Sequence, residues 1–213
     1  MLDLVRETPG EVFTLDEYLA DFSRHESRIS DRCNKLERRQ YFEEPYDPSW
    51  QAFIAGNWEE ALRLDEQLAR ADTAALYENY ARQGVEWRRV RVVEFPITPY
   101  VQWELHGLKL RVQCGEHISI IPAKVVAPYE SKGPVPEVIM LGSLVMYEVL
   151  YDENSVLCGG RKIIDSDVIK ECREEIELLY ASGEDFMSFF NREIAHLPAP
   201  QVVKPSPTPP AGS

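Results

Sequence analysis

A mixed α/β fold is expected for this chain: a helical stretch over residues 14–84, then a β-α-β-β-β-α unit with a small mixed sheet over residues 85–196. Three observations predict it. Arg89–Phe95 alternates Arg and Val with a period of two, the mark of a half-buried strand. Thr98-Pro99 opens a short helix that leads to a second apolar strand, His117–Ile121. Two further apolar runs, 138–141 and 144–151, are separated by Gly142-Ser143, a hairpin spacing, and precede an amphipathic stripe of Val168, Ile169, Cys172, Ile176 and Leu179.

The elements follow in chain order. Thr14-Leu15-Asp16-Glu17 is a capping box, in which threonine and glutamate side chains satisfy orphan backbone N–H groups. Leu15, Tyr18, Leu19, Phe22, Ile29, Cys33 and Leu36 then recur at helical spacing, so one helix is expected from Thr14 to about residue 41. Pro45 and Pro48 break the chain before a short helix carrying Trp50, Phe53 and Ile54, which Gly56 stops. Asn57-Trp58-Glu59-Glu60 reads as a second capping box, and the helix it starts continues past Ala74 to Gly84. Pro96 ends the first strand, because proline has no N–H for a sheet ladder. Thr98 is placed to cap and Pro99 suits the first helical position. Gly107 either ends that helix or weakens it. Gly115-Glu116 marks a turn, and Cys158-Gly159-Gly160 reads as another turn or a bulge. Asp165, Ser166 and Asp167 open the last long helix with favourable charge for its dipole, and Phe186, Phe189, Phe190 and Ile194 mark a final one. Residues 197–213, dense in proline, have no core-forming pattern and are expected to be a flexible tail.

Composition narrows the function. The chain has 213 residues, 44% of them hydrophobic, enough to bury a core. Its net charge of −13 is spread over both halves, which disfavours direct binding to nucleic acid or to an anionic membrane. No apolar leader opens the sequence and no run approaches a membrane span, so a cytoplasmic location is expected. The four cysteines show no C-x-x-C and are expected to be reduced.

The motifs of common enzymes are missing: no glycine-rich phosphate loop, no G-x-S-x-G elbow and no H-E-x-x-H. Cys114 and His117, with His106, have a spacing that can chelate one ion, but structural zinc wants four ligands, so no metal and no cofactor are expected. The glutamate pairs Glu43-Glu44, Glu59-Glu60 and Glu174-Glu175 read as solvated faces. The tryptophans read as core. Arg91, Glu94, Tyr100 and Glu104 are different, because they flank the strand-to-helix break, where ligands settle in open α/β sheets. An ion pair between Arg91 and Glu104 with Tyr100 nearby is the plain reading, and a ligand or partner site is the functional one.

The segments RVRVVEFPITPYVQWEL, CGEHISIIP, VPEVIMLGSLVMYEVLYDENSVLCGG and DVIKECREEIELLY resemble an uncharacterised actinobacterial family labelled as a domain of unknown function. The resemblance covers residues 14–182. Members of that family often lie beside helix-turn-helix regulators, which implies a regulatory or partner-binding role and transfers no catalytic residue. The element order is also similar to half of a phospholipase-D-like domain. Its His-x-Lys motif is absent, since two residues separate His106 from Lys109.

The function expected from these readings is that of a non-enzymatic regulatory or interaction protein, whose acidity suits a basic protein partner such as a helix-turn-helix regulator. The rival readings are an enzyme, either a tailoring activity or a degenerate phosphodiesterase, and a small-ligand sensor, both using a pocket near Arg91, Tyr100 and Glu104. A concave site at the carboxyl end of the first strand would favour the rivals.

Overall fold

The computed structural model describes residues 2–202. In chain order it forms strand β1 (Glu11–Thr14), helix α1 (Leu15–Glu26), strand β2 (Arg32–Glu37), helices α2 (Pro48–Ile54), α3 (Trp58–Leu68) and α4 (Ala74–Arg82), strand β3 (Glu86–Val93), helix α5 (Pro99–Cys114), strand β4 (His117–Pro122) and the short helix α6 (Ala123–Val126). Strands β5 (Val138–Leu141), β6 (Val145–Tyr151) and β7 (Leu157–Ile163) follow, then helix α7 (Ser166–Ser182), the two-residue strand β8 (Glu184–Asp185) and helix α8 (Phe186–Phe189). All eight strands make one mixed sheet in the order β1-β7-β6-β5-β2-β3-β4-β8. The neighbours β2, β3 and β4 are parallel, with Arg88 opposite His117 and Val92 opposite Ile121. The remaining pairings are antiparallel.

The expected pairing of the 89–95 and 117–121 strands is therefore present, with the helix capped by Thr98 between them. The Thr98 hydroxyl accepts the Val101 N–H at 3.2 Å. The chain runs through Gly107 without a break and leaves α5 at Gly115, whose φ of 119° lies in the left-handed region that glycine tolerates. The hairpin at Gly142 forms as expected, pairing Met140 with Met146. Asp165 caps α7 by accepting the N–H groups of Asp167 and Val168. At α1, the Thr14 N–H donates to Glu17 at 2.9 Å.

Helices cover both faces of the sheet. On one, Leu36, Val90, Val92 and Met140 meet the α7 stripe of Ile169, Cys172, Ile176 and Leu179. On the other, α5 lays Val101, Leu105 and Leu108 against Ile118 and Ile120, beside Phe53 of α2 and Phe186 and Phe190 near the end of the chain. Tyr18 of α1 and Tyr77 and Tyr80 of α4 pack on Cys33, Trp87, Leu141 and Tyr147 on this same face.

Two expectations are corrected and a third is narrowed. The single helix expected from Thr14 to residue 41 is instead α1 followed by β2, a strand in the middle of the sheet. Cys33 and Leu36 are both fully buried on opposite faces of β2. A strand covered on both sides has no solvated face to betray its alternation, and apolar residues three apart fit a helix as well as a strand. Of the two readings of Cys158-Gly159-Gly160, the bulge is the one present: the segment is part of β7, and the register slips at Cys158, with Leu150 opposite Gly159 and Tyr151 opposite Leu157. A Cβ on Gly160 would fall 2.7 Å from the Tyr18 ring, so the glycine lets α1 lie close against the strand. The second capping box is absent: α3 begins where expected, but the Asn57 side chain makes no capping bond. The tail expected over residues 197–213 lies mostly outside the described residues. Within them, Leu197 and Val202 pack on the α5 side of the core, and the Pro198 carbonyl accepts from Gln102 at 2.9 Å.

Candidate ligand pocket

Strand alternation sends Lys35 and Glu37 of β2 and Arg89 and Arg91 of β3 toward α5, beneath a face that is otherwise apolar. Charges there survive only if paired. The Arg91 side chain is fully buried, and its Nε donates to Glu104 of α5 at 2.9 Å while Nη1 donates to the Val92 carbonyl at 2.7 Å. Burial works against the Arg91 charge, and Glu104 more than restores it. Arg89 bridges two carboxylates, Glu116 at 2.7 Å and Glu37 at 2.5 Å. Lys35 also pairs with Glu37. Burial would raise the Glu37 carboxyl, but Arg89 and Lys35 outweigh it and hold it well below the usual range. Glu116 accepts a further bond from Tyr77 at 2.5 Å, and it too is held low against its burial, chiefly by Arg89.

Above this charged floor lies a cavity of about 300 Å³, within the size range of small-molecule sites. Lys35, Glu37 and Arg89 form its floor. The loop after β2 contributes Phe42 and Glu44, α5 contributes Tyr100, Trp103, Glu104 and Gly107, and Asp65 comes from α3. Tyr151 of β6 and the turn joining α3 to α4 close the sides. That turn, Ala69–Thr73, is a π-turn within an otherwise α-helical run, a distortion found often at functional sites. The position suits a ligand site, because the loop follows the carboxyl end of β2 in the parallel part of the sheet. Aromatic rings line one wall, with centroids 4.9 Å apart for Phe42 and Tyr151 and 5.9 Å for Phe42 and Tyr100.

Three carboxyls of the cavity behave differently from Glu37 in the floor: burial raises Glu104 even against Arg91, and Glu44 and Asp65 have no such cation paired with them among the described residues. Glu44 accepts the Tyr100 hydroxyl at 2.5 Å, and burial still pushes it up to about 7. Asp65 is pushed up to about 6 by burial, and its buried Oδ2 has no hydrogen-bond partner.

Of the four residues expected at the site, the structure brings Arg91, Tyr100 and Glu104 together. Tyr100 and Glu104 line the cavity, and Arg91 sits behind Glu104. Glu94 is elsewhere: it is exposed past the end of β3 and pairs with Arg38 at 2.6 Å. Sequence reasoning missed Glu37 and Lys35, which fell inside the expected long helix. It also missed Glu44, which read as solvated, and Asp65, which sits on a helix rich in acids. Arg89 reads as part of the solvated face of a half-buried strand, but it is buried, as is Arg91, because α5 covers that face. The candidate metal ligands do not converge: His106 packs edge-on between Trp58 and Phe190, at 5.2 and 5.0 Å, whereas His117 is exposed. Among the described residues no group of three or more His, Cys, Asp or Glu could hold a metal ion. No helix there is long and apolar enough to cross a membrane.

Residues 20–191 match the family model described as a domain of unknown function (DUF6879). The chain belongs to this family. All of the residues that line the cavity fall inside the family match. No curated protein matches the chain. Among solved structures, that of TrmBL2, an archaeal chromatin protein described as showing a novel mode of DNA binding, is similar at 8% identity with a TM-score of 0.42, over 85% of this chain and 55% of that one. The chain thus spans about half the length of that protein.

Proposed function

We propose that the protein is a non-enzymatic, ligand-responsive regulatory module: the cavity between α5 and the β2–β3 floor takes a small molecule and does not transform it. One observation carries the reading. The cavity has the size and the aromatic wall of a ligand site, while the charged groups of its floor are tied to one another in pairs. Its lining holds no histidine, serine or cysteine, and the one hydroxyl seen within reach of a carboxylate there, Tyr100 on Glu44, is held by burial well above its ordinary pKa, as a hydrogen-bond donor and not as an anionic nucleophile. Regulatory output would pass to a protein partner, and a net charge of −13 favours one with a basic surface, such as a helix-turn-helix regulator.

The test is a thermal-shift screen of the full chain against metabolites of positive, negative and neutral charge, followed by analysis of each hit after long incubation. A ligand that binds the folded state raises the melting temperature by mass action. The reading expects at least one compound to do so and to be recovered chemically unchanged. A hit that is consumed would make the protein an enzyme, and a screen with no hit would remove the ligand-binding role.

A further inference from the structure

We propose that the cavity selects an organic cation, an amine or guanidinium head on a small apolar or aromatic body, with the head held by Glu44 and Asp65 and the body against Tyr100 and Phe42. This deepens the ligand-binding reading and rests on it. Both cations of the floor are already engaged, Lys35 by Glu37 and Arg89 by Glu37 and Glu116 together. Glu104 is engaged by Arg91. An anionic ligand at the floor would therefore have to break a buried pair, which leaves an uncompensated charge behind. Arg111 also lines the cavity; it is exposed, so water weakens its hold on an anion, and its charge lowers Asp65 only against the larger effect of burial.

The unspent groups are carboxyls. Glu44 has a tyrosine hydroxyl and no cation, and the buried Asp65 Oδ2 has no hydrogen-bond partner. Asp47, which also lines the cavity, repels both of them. An ammonium or guanidinium group entering here would pair with carboxyls that no salt bridge holds among the described residues, in a partly desolvated place where such a pair counts for more than at a surface. The wall of Tyr100, Phe42 and Tyr151 offers aromatic, apolar surface to the remainder of the molecule, and a cation over such a ring gains further, as Arg39 already does over Tyr151 at 4.7 Å. Burial holds Glu44 and Asp65 partly protonated near neutral pH, so a cation that pairs with them would drive protons off.

The test is calorimetric titration of the full chain with tyramine and with agmatine, each run in two buffers of different ionisation enthalpy. The anion 4-hydroxyphenylacetate serves as the near-isosteric control for tyramine. The expected result is binding of at least one amine with net proton release near pH 6.5, no binding of the anion, and a loss of about tenfold or more in affinity in Glu44→Gln and Asp65→Asn. Both variants keep the shape of the side chain, and their melting temperatures in the absence of ligand report whether they fold. Binding of the anion as tight as that of tyramine, or amine binding that neither substitution weakens, would overturn the inference. If neither amine binds while another class of compound stabilises the protein in the screen, the choice of cation is wrong and the ligand-binding reading stands. If nothing of any charge binds, both are wrong.

Discussion

Glu137 shows most clearly how burial sets the chemistry of single residues in this protein. Its Oε1 accepts the backbone N–H groups of Arg38 and Arg39 at 2.8 and 2.6 Å, while Oε2 is buried without a partner. Burial first, and then the charge of Glu37, push its carboxyl up to about 7. Between about pH 4.5 and 7 the folded protein thus holds a proton that the unfolded chain has lost. On this account stability falls as pH rises through that window. Glu137→Gln keeps an acceptor for the two N–H groups and removes the charge. It should stabilise the protein by roughly 2–3 kcal/mol near pH 8 and by almost nothing near pH 4, as measured by urea unfolding at the two pH values. Glu116 has the opposite sign. Held low by Arg89, it adds stability above its unfolded pKa that is lost as pH falls through its folded one. Glu104→Ala would strand the fully buried Arg91 charge and should cost about 3–5 kcal/mol, read from the shift in denaturant midpoint.

At the scale of elements, α5 joins fold to site, and Gly107 is the position where the two compete. Glycine inside a helix costs roughly 0.5–1 kcal/mol relative to alanine. A Cβ placed there would lie 3.6 Å from Asp65 Oδ2, in ordinary contact. Gly107→Ala should therefore raise stability by about that amount, visible as a higher melting temperature, while it narrows the cavity beside Asp65. The α5 unit was legible in the sequence because its signals are local. The Arg-Val alternation, Pro96, the Thr98-Pro99 start and the Gly115 stop each act within a few residues. Strand β2 was hidden because both its faces are buried, and its apolar residues kept a helical spacing with those of α1. The site was split along the same line. Arg91 and Glu104 could be paired by counting along one strand and the helix that follows it. Glu37, Glu44 and Asp65 reach the cavity from β2, from an irregular loop and from α3, and their meeting depends on long-range packing.

Over the whole molecule, the parallel trio β2-β3-β4 is the rigid frame, and the cavity sits where the loop leaving β2 folds back beneath α5. This arrangement explains why a face carrying Lys35, Glu37, Arg89, Arg91, Glu104 and Glu116 can be buried at all. The charges compensate one another across strands and helix, and the carboxyls of Glu44 and Asp65 at the cavity wall are left without a salt bridge among the described residues. The central claim is that this space holds a ligand, and filling it from within tests that claim most directly. Gly107→Phe should project a ring from α5 into the cavity while keeping the helix. The decisive measurement is the melting temperature of the parent and of Gly107→Phe as a function of the concentration of a hit from the screen. The account predicts that the parent's melting temperature climbs with the logarithm of ligand concentration, and that Gly107→Phe, folded and melting within a few degrees of the ligand-free parent, does not respond. Equal stabilisation of both proteins would place the ligand elsewhere and contradict the account.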